Sequence, residues 1–240
     1  MKTRADLLLV ERGLAESRAK AQALILAGSV VAGDHRVDKP GQLLAPDVEL
    51  RLKEQLRYVS RGGLKLEKAL DHFALSPEGR VCVDLGASTG GFTDVLLQRG
   101  AAKVYAVDVG RGQLHSKLRS DPRVVLLERV NARAFSLPEP CAAAVADVSF
   151  ISLRLVLPAL AAALRPTDAW TCVLVKPQFE AGRAEVGKGG VVRDPAVHAR
   201  VVEEIAAEFR QLGFAVQGSI ESPVQGPAGN REFLVSARRA

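Results

Sequence analysis

Two rhythms of apolar and polar residues divide this chain. In the first fifty or so positions the apolar residues come in short clusters. Leu7, Leu8 and Val10 repeat at helical spacing and stop at Gly13; Ala21, Leu24, Ile25 and Ala27 then line a second helix that Ser17 is placed to cap and Gly28 to end. "VVAGDHRV" follows, with Gly33-Asp34 between two apolar pairs, which predicts a small hairpin. Further along, continuous apolar runs of strand length alternate with amphipathic stretches. They predict strands near 80–84, 103–107, 124–127, 143–146, 171–176, 214–220 and 231–236, and helices near 60–74, 91–99, 112–119, 153–163 and 195–211. Strands alternating with helices imply right-handed crossovers and a parallel sheet covered on both faces, so the larger unit is α/β and the smaller one α+β. The last two strands have no helix between them and should form an antiparallel hairpin at one edge. The expected division is 1–55, a basic linker at 56–62, and a second domain at 63–240.

Composition narrows the class. The chain has 240 residues, 48% of them hydrophobic and 25% charged, enough length for a substantial core. Its longest apolar stretch, 153–164, is interrupted by Arg154 and Pro158 and falls short of the ~18 residues of a membrane span. The N-terminus has no cleavage-site pattern and reads as mature protein. Cys82, Cys141 and Cys172 each sit in or beside an apolar stretch without paired spacing, so we expect reduced core residues, with neither a disulfide nor a metal site. A cytoplasmic monomer that does not engage membranes is the expectation.

The net charge of +6 is modest, and its distribution matters more. Residues 1–50 balance seven bases against seven acids, whereas 51–68 hold six bases (Arg51, Lys53, Arg57, Arg61, Lys65, Lys68) against Glu54 and Glu67. A local excess of this kind points to a polyanion, although a solvated helix face would read the same way. Arg4, Arg18 and Lys20 stand at helix starts, where backbone N–H groups also favour phosphate.

The segment "CVLVKPQFE" places Lys176 directly after a run of strand residues that should be buried. Pro177 ends the strand and holds Lys176 extended at its carboxyl end, the edge where ligands bind in open α/β sheets. A lysine snorkelling to solvent would satisfy the same pattern. Other charged residues also terminate apolar strands: Asp147 follows "AAAVA", and Glu232 opens the last strand. Lys65 lies on the helix before the first strand of the sheet.

In "VCVDLGASTGGFTDVLLQRG" a strand, a Gly/Ser/Thr turn and a helix occur in order. Gly86, Gly90 and Gly91 allow a tight turn and close approach of a ligand, with Ser88 and Thr89 between them. Asp108, 22 residues beyond Gly86, ends the next strand at a spacing suited to ribose hydroxyls. Both a dinucleotide and S-adenosylmethionine fit this geometry. Asp84 before the turn, and the departure from GxGxxG spacing, favour the methyl donor. Asn131 follows the third strand, where an adenine ring would lie, and reads equally as a contact to that ring or as a simple loop Asn. "QFEAGRAEVGKGGVVRD" is long, glycine-rich and basic; it reads either as a mobile flap over RNA or as a structural excursion.

Taken together, these segments carry a resemblance. "RADLLL", "SRAKA" and "GSVVAG" resemble the S4 RNA-binding domain, which implies binding of structured RNA through phosphate contacts and shape. "SRGGLKLEKAL", "DLGASTGGFTD", "ADVSFISL", "LVKPQFEAGR" and "NREFLV" resemble the FtsJ-type ribose 2′-O-methyltransferases, with Thr89 standing where other members have Pro. The combination is similar to the TlyA/haemolysin A type rRNA methyltransferases along nearly the whole chain. It implies a Rossmann-like S-adenosylmethionine-dependent methyltransferase domain behind a small α+β S4 domain. The implied activity is that of an rRNA (cytidine-2′-O-)-methyltransferase, with ribosomal RNA in ribosomal subunits as partner.

The resemblance further implies a Lys-Asp-Lys-Glu tetrad of Lys65, Asp147, Lys176 and Glu232. In it Lys176 would be base or oxyanion stabiliser, Lys65 its electrostatic neighbour and acceptor-positioning donor, Asp147 an orienter, and Glu232 an anchor. The implied donor site is Asp84, Gly86, Ser88, Thr89, Gly90, Gly91, Asp108 and Asn131, and the RNA contacts are Arg4, Arg18, Lys20, Arg57 and Arg61. Two other classes stay open: a non-catalytic rRNA-binding assembly factor, and a haemolysin, for which no spanning or amphipathic segment is evident.

Overall fold

β1 (Thr3–Arg4) runs into α1 (Ala5–Glu11), and α2 (Arg18–Leu26) begins where Ser17 Oγ accepts the Lys20 N–H at 3.2 Å. β2 (Val30–Ala32) pairs antiparallel with β3 (His35–Arg36) across the Gly33-Asp34 turn; β1 pairs with β4 (Leu43–Leu44), and β2 also pairs with β5 (Leu50–Leu52). Ala5, Leu8, Leu9, Ala21, Ile25 and Val30 form the core of this unit. Leu7, expected on the apolar face of α1, is 42% exposed, because Ala5, Leu8 and Leu9 complete the buried stripe without it.

This computed structural model describes residues 2–52 and 57–239, and the chain divides into Met1–Leu56 and Arg57–Ala240. Lys53 and Glu54 of the basic run lie outside the described residues. From residue 57 the expected linker is built into the second unit. Tyr58 is only 3% exposed, its hydroxyl donates to Glu67 Oε1 at 2.8 Å, and Val59 N donates to Asp94 Oδ2 at 2.9 Å. An aromatic ring among polar neighbours gave no signal of that burial in the sequence.

The second unit starts with α3 (Gly62–His72) and continues through β6 (Val81–Leu85), α4 (Gly91–Gln98), β7 (Lys103–Asp108), α5 (Ser116–Arg119), β8 (Val124–Glu128) and β9 (Ala143–Ala146). α6 (Leu157–Ala162), β10 (Ala169–Val175), α7 (Pro177–Glu180), α8 (Pro195–Gln211), β11 (Ala215–Glu221) and β12 (Phe233–Arg239) complete it. The sheet order is β11-β12-β10-β9-β6-β7-β8. β10, β9, β6, β7 and β8 are mutually parallel, and β12 lies antiparallel between β10 and β11, as the missing helix between the last two strands predicts. Alternate residues of β10 feed opposite cores: Val173 and Val175 pack with Ile205 and Phe209 on one face, Cys172 and Leu174 with Leu66, Leu70 and Leu96 on the other. Burial pushes the thiols of Cys82, Cys141 and Cys172 up to about 12, in keeping with a purely apolar role.

Two expected helices are shorter than their pattern. The one near 112–119 shrinks to α5, because Gly112 adopts φ +70° and gives its N–H to Glu128 Oε1 at 2.7 Å. The one near 153–163 splits into a 3-10 turn, Leu153–Leu155, and α6, with Pro158 in the first turn of α6. α7 was not legible beforehand. Among the described residues no helix is long and apolar enough to cross a membrane.

Candidate active site

The chain order turns back on itself between β6 and β9, which neighbour each other while β7 and β8 lie on the far side of β6. A crevice opens at such a reversal, at the carboxyl ends of the strands. Gly86 leaves β6 at φ +85° against the backbone after β9; a Cβ added there would lie 2.6 Å from the Asp147 carbonyl oxygen. Ser88 follows at φ +48°, a conformation held by its N–H donating to Asp108 Oδ2 at 2.7 Å, while Asp108 Oδ1 accepts from Gly110 N at 2.7 Å. Gly90, at φ +95°, turns the chain into α4.

Around this turn the fold collects the four charged residues. Lys65, Asp147, Lys176 and Glu232 line one cavity of about 360 Å³, together with Ser60, Arg61, Ser88, Thr89 and Gly91. Lys65 Nζ lies 2.5 Å from Glu232 Oε2, and Lys176 Nζ lies 2.6 Å from Asp147 Oδ1. Lys176 Nζ also donates to Ser149 Oγ at 2.7 Å. Lys65 was expected to be the charged neighbour of Lys176. Both line the one cavity, and each ammonium also has its own carboxylate, the arrangement that best offsets the desolvation of two nearly buried cations.

A second cavity of about 320 Å³ shares Gly86, Ser88, Asp147 and Ser149 with the first. Its other walls are mostly apolar, including Val107, Val130, Ala132, Val148 and Ile151, with Asp108 and Gln113 as polar groups. Phe150 lies at its mouth with φ +64°, 91% exposed, its ring centroid 5.2 Å from that of Phe179. An exposed Phe on left-handed backbone is unusual. Sequence reasoning missed Ser149 and Phe150; their place directly after Asp147, in "ADVSF", was the available signal.

Three of the expected donor-site residues line neither cavity; Gly90 is one, packed against Leu114 and Leu118, and Asp84 and Asn131 are the others. Asp84 is fully buried beneath the turn and lines neither cavity; Thr93 Oγ1 donates to its Oδ2 at 2.6 Å, and its Oδ1 has no partner. Burial, only partly offset by the Thr93 hydrogen bond, pushes its carboxyl up to about 7. Asn131 is exposed and does not line the second cavity. Its Oδ1 accepts from Arg133 N at 3.0 Å in a local turn, while Val130 and Ala132 on either side face the cavity.

Of the expected RNA contacts, Arg61 lines the first cavity, Arg57 pairs with Glu67, and Lys20 is exposed. Arg4 and Arg18 both bind the buried carboxylate of Asp6. The glycine-rich loop is anchored: Val192 is 2% exposed and donates its N–H to Asn230 Oδ1 at 3.0 Å, Asn230 Nδ2 donates to Gly190 O at 2.9 Å, and Arg200 grips Glu185 at 2.6 Å.

Comparison with known proteins agrees with this geometry. Residues 58–239 match the FtsJ-like methyltransferase family, and residues 3–50 match the S4 domain. The chain is 48% identical to the 16S/23S rRNA (cytidine-2′-O)-methyltransferase TlyA of Mycobacterium tuberculosis, over 99% of this chain and 90% of that protein. It is 52% identical to YqxC of Bacillus subtilis, named as a candidate rRNA methyltransferase, over 98% of this chain and 85% of that one. A solved structure of a candidate hemolysin from Streptococcus thermophilus superposes with a TM-score of 0.75 at 49% identity, covering 100% of this chain and 89% of the other.

Proposed function

This chain belongs to the FtsJ-like methyltransferase family, with an S4 domain ahead of the methyltransferase domain, and from that premise we propose that it transfers methyl groups from S-adenosylmethionine to ribose 2′-hydroxyls of cytidines in ribosomal RNA. The observation that carries the reading is the convergence of two lysine–carboxylate pairs on one cavity beside the glycine turn. Ribosomal RNA as substrate puts the reaction in the cytoplasm.

The residues present fit the donor. Two adjoining chambers match its two ends: a mostly apolar one with Asp108 as the carboxylate it does not share suits a nucleoside, and a polar one suits an amino acid and the reacting centre. Val130, Ala132 and Ile151 would flank the adenine, Asp108 would take the ribose hydroxyls, and the 86–91 turn with the N–H groups opening α4 would hold the methionine carboxylate. When bound, the donor supplies a sulfonium-activated methyl group for in-line transfer to oxygen.

The chain's own residues do the rest. The Lys176 ammonium carries three donors; Ser149 takes up one, Asp147 faces the ammonium as its ion-pair partner, and donor capacity remains for the acceptor oxygen. Fixed in this way, it stabilises the charge that develops on the oxygen as its proton leaves. As the oxygen–methyl bond forms and the methyl–sulfur bond breaks, the hydroxyl becomes far more acidic and its proton passes to solvent water, so Lys176 acts by orienting the oxygen and offsetting its charge. Lys65, held by Glu232, offers a second donor to orient the ribose. Phe150 presents a flat apolar face on which the acceptor base can stack.

The test is transfer of tritiated methyl from S-adenosylmethionine to ribosomal subunits lacking the modification, followed by mapping of 2′-O-methyls. Label should appear at cytidine ribose. Absence of label from every rRNA would remove the proposal, and label on a base would redirect it.

A further inference from the structure

We propose that Glu180 is a positioning residue for methyl transfer, a buried carboxylate that ties the segment carrying Ser149 and Phe150 to the one carrying Lys176. This role rests on the methyl-transfer reading and adds a residue that touches neither reactant.

Pro177 opens α7, and the single turn that follows brings Lys176, Phe179 and Glu180 onto one face, at spacings of three and four. Opposite that face runs the chain that has just left β9. Lys176 Nζ donates to Ser149 Oγ at 2.7 Å, and the rings of Phe179 and Phe150 lie 5.2 Å apart. Glu180 takes the third position: its Oε2 accepts from Ser152 Oγ at 2.6 Å and its Oε1 from Leu153 N at 2.8 Å. Residues 176, 179 and 180 thus meet 149, 150 and 152–153 in order, as three rungs. Lys176, Ser149 and Phe150 line the two cavities; Glu180, Ser152 and Leu153 line neither.

Phe150 holds a left-handed backbone with its ring 91% exposed, a conformation that persists only where the surroundings over-determine it. At the near end of its segment Asp147 N donates to Leu85 O at 3.0 Å. At the far end the two bonds to Glu180 fix Ser152 and Leu153. Only 1% of the Glu180 side chain is exposed, and Arg154 Nε stands 3.9 Å from its Oε2, itself held by Glu204 of α8 at 2.5 Å. Such a carboxylate adds little stability, since apolar residues of similar volume commonly do as well. What it supplies is geometry. A donor that acts on one oxygen must be held within about 0.5 Å, and Ser149, which steadies Lys176, is only as fixed as the segment it belongs to.

If Glu180 only capped the 3-10 turn Leu153–Leu155, its loss would lower stability and leave the rate of the folded enzyme alone. Single-turnover transfer to ribosomal subunits at saturating donor and RNA is measured for each variant, with donor affinity by calorimetry and melting temperature beside it. Glu180→Ala should slow transfer per donor-binding molecule by about tenfold or more, with the donor dissociation constant within about threefold of wild type. Glu180→Gln should restore most of the rate, because its oxygen still accepts from Leu153 N and its Nε2 donates to the Ser152 hydroxyl. Combined with Ser149→Ala, the Glu180→Ala loss should not multiply, since both act through the placement of Lys176. Should Glu180→Ala fail to fold, Ser152→Ala removes one bond at a half-buried position and should slow transfer about threefold. Glu180→Ala turning over normally, Glu180→Gln as slow as Glu180→Ala, losses that multiply, or an undiminished rate in Ser152→Ala would overturn the role. No transfer by the wild-type protein would sink the methyl-transfer reading itself, whereas normal wild-type transfer with unaffected variants removes Glu180 alone.

Discussion

Asp147 Oδ1 lies 2.6 Å from Lys176 Nζ, and the two residues follow adjacent parallel strands, β9 and β10. The pairing is a product of sheet register: Ala146 lies opposite Val173, so the residues just beyond the strand ends meet at the same edge. Lys176→Ala should therefore remove the donor to the acceptor oxygen without disturbing the nucleoside chamber. We expect single-turnover methyl transfer to fall about 10²–10³-fold, with the S-adenosylmethionine dissociation constant from calorimetry within about twofold of wild type. Near-normal turnover would remove Lys176 from the reaction.

Phe150 offers a cleaner separation of binding from folding. Because the ring is exposed, Phe150→Ala should leave the melting temperature nearly unchanged. Base stacking contributes about 1–3 kcal/mol, so KM for the RNA substrate should rise roughly fivefold to 150-fold. Wild-type kinetics would mean that the acceptor base stacks elsewhere.

The pair formed by Lys65 and Glu232 predicts a coupling in stability. Their side chains are 11% and 2% exposed, and removing one partner strands the other's charge. Glu232→Gln or Lys65→Met alone should cost about 3–5 kcal/mol in urea denaturation, and the double variant less than their sum. Additive losses would show that the two charges do not depend on each other.

Asp84 gives a pH signature. Its carboxyl, pushed by burial up to about 7 from the ordinary 3.8, binds a proton more tightly folded than unfolded. Stability contributed by this group is therefore complete below about pH 4, declines as the pH rises towards 7, and stays lost above that. Asp6, shifted the other way, acts only below this window. Asp84→Asn should flatten the melting temperature between about pH 5 and 8 and exceed wild type at the alkaline end. Parallel pH profiles for the two proteins would refute the assignment.

Much of this arrangement was legible in the chain before any coordinates. The strand-length runs in the second unit gave the parallel sheet and its closing hairpin, because a strand buried on both faces has no polar alternation to confuse it. Lys176, Asp147 and Glu232 stood out because charges that interrupt such runs mark strand ends. Pairing between them did not show, since which carboxylate meets which ammonium depends on strand order and not on spacing. Asn131 was open between a ligand contact and a loop turn; its oxygen accepts from Arg133 N in a local turn, and its neighbours Val130 and Ala132 wall the cavity. Tyr58 was invisible as core because its burial comes from contacts distant in sequence, with Glu67 on α3 among them.

The meeting of Gly86 with the Asp147 carbonyl has an evolutionary corollary. Any side chain at 86 would drive a wedge between the two strand ends, so this position tolerates no drift however the bound molecules change. Grip on one reactant and placement of the charges that act on the other share a single hinge-free joint. A lineage that diversified its choice of nucleotide would have to do so through the rim, around residues such as Phe150 and Val224, and leave that joint untouched.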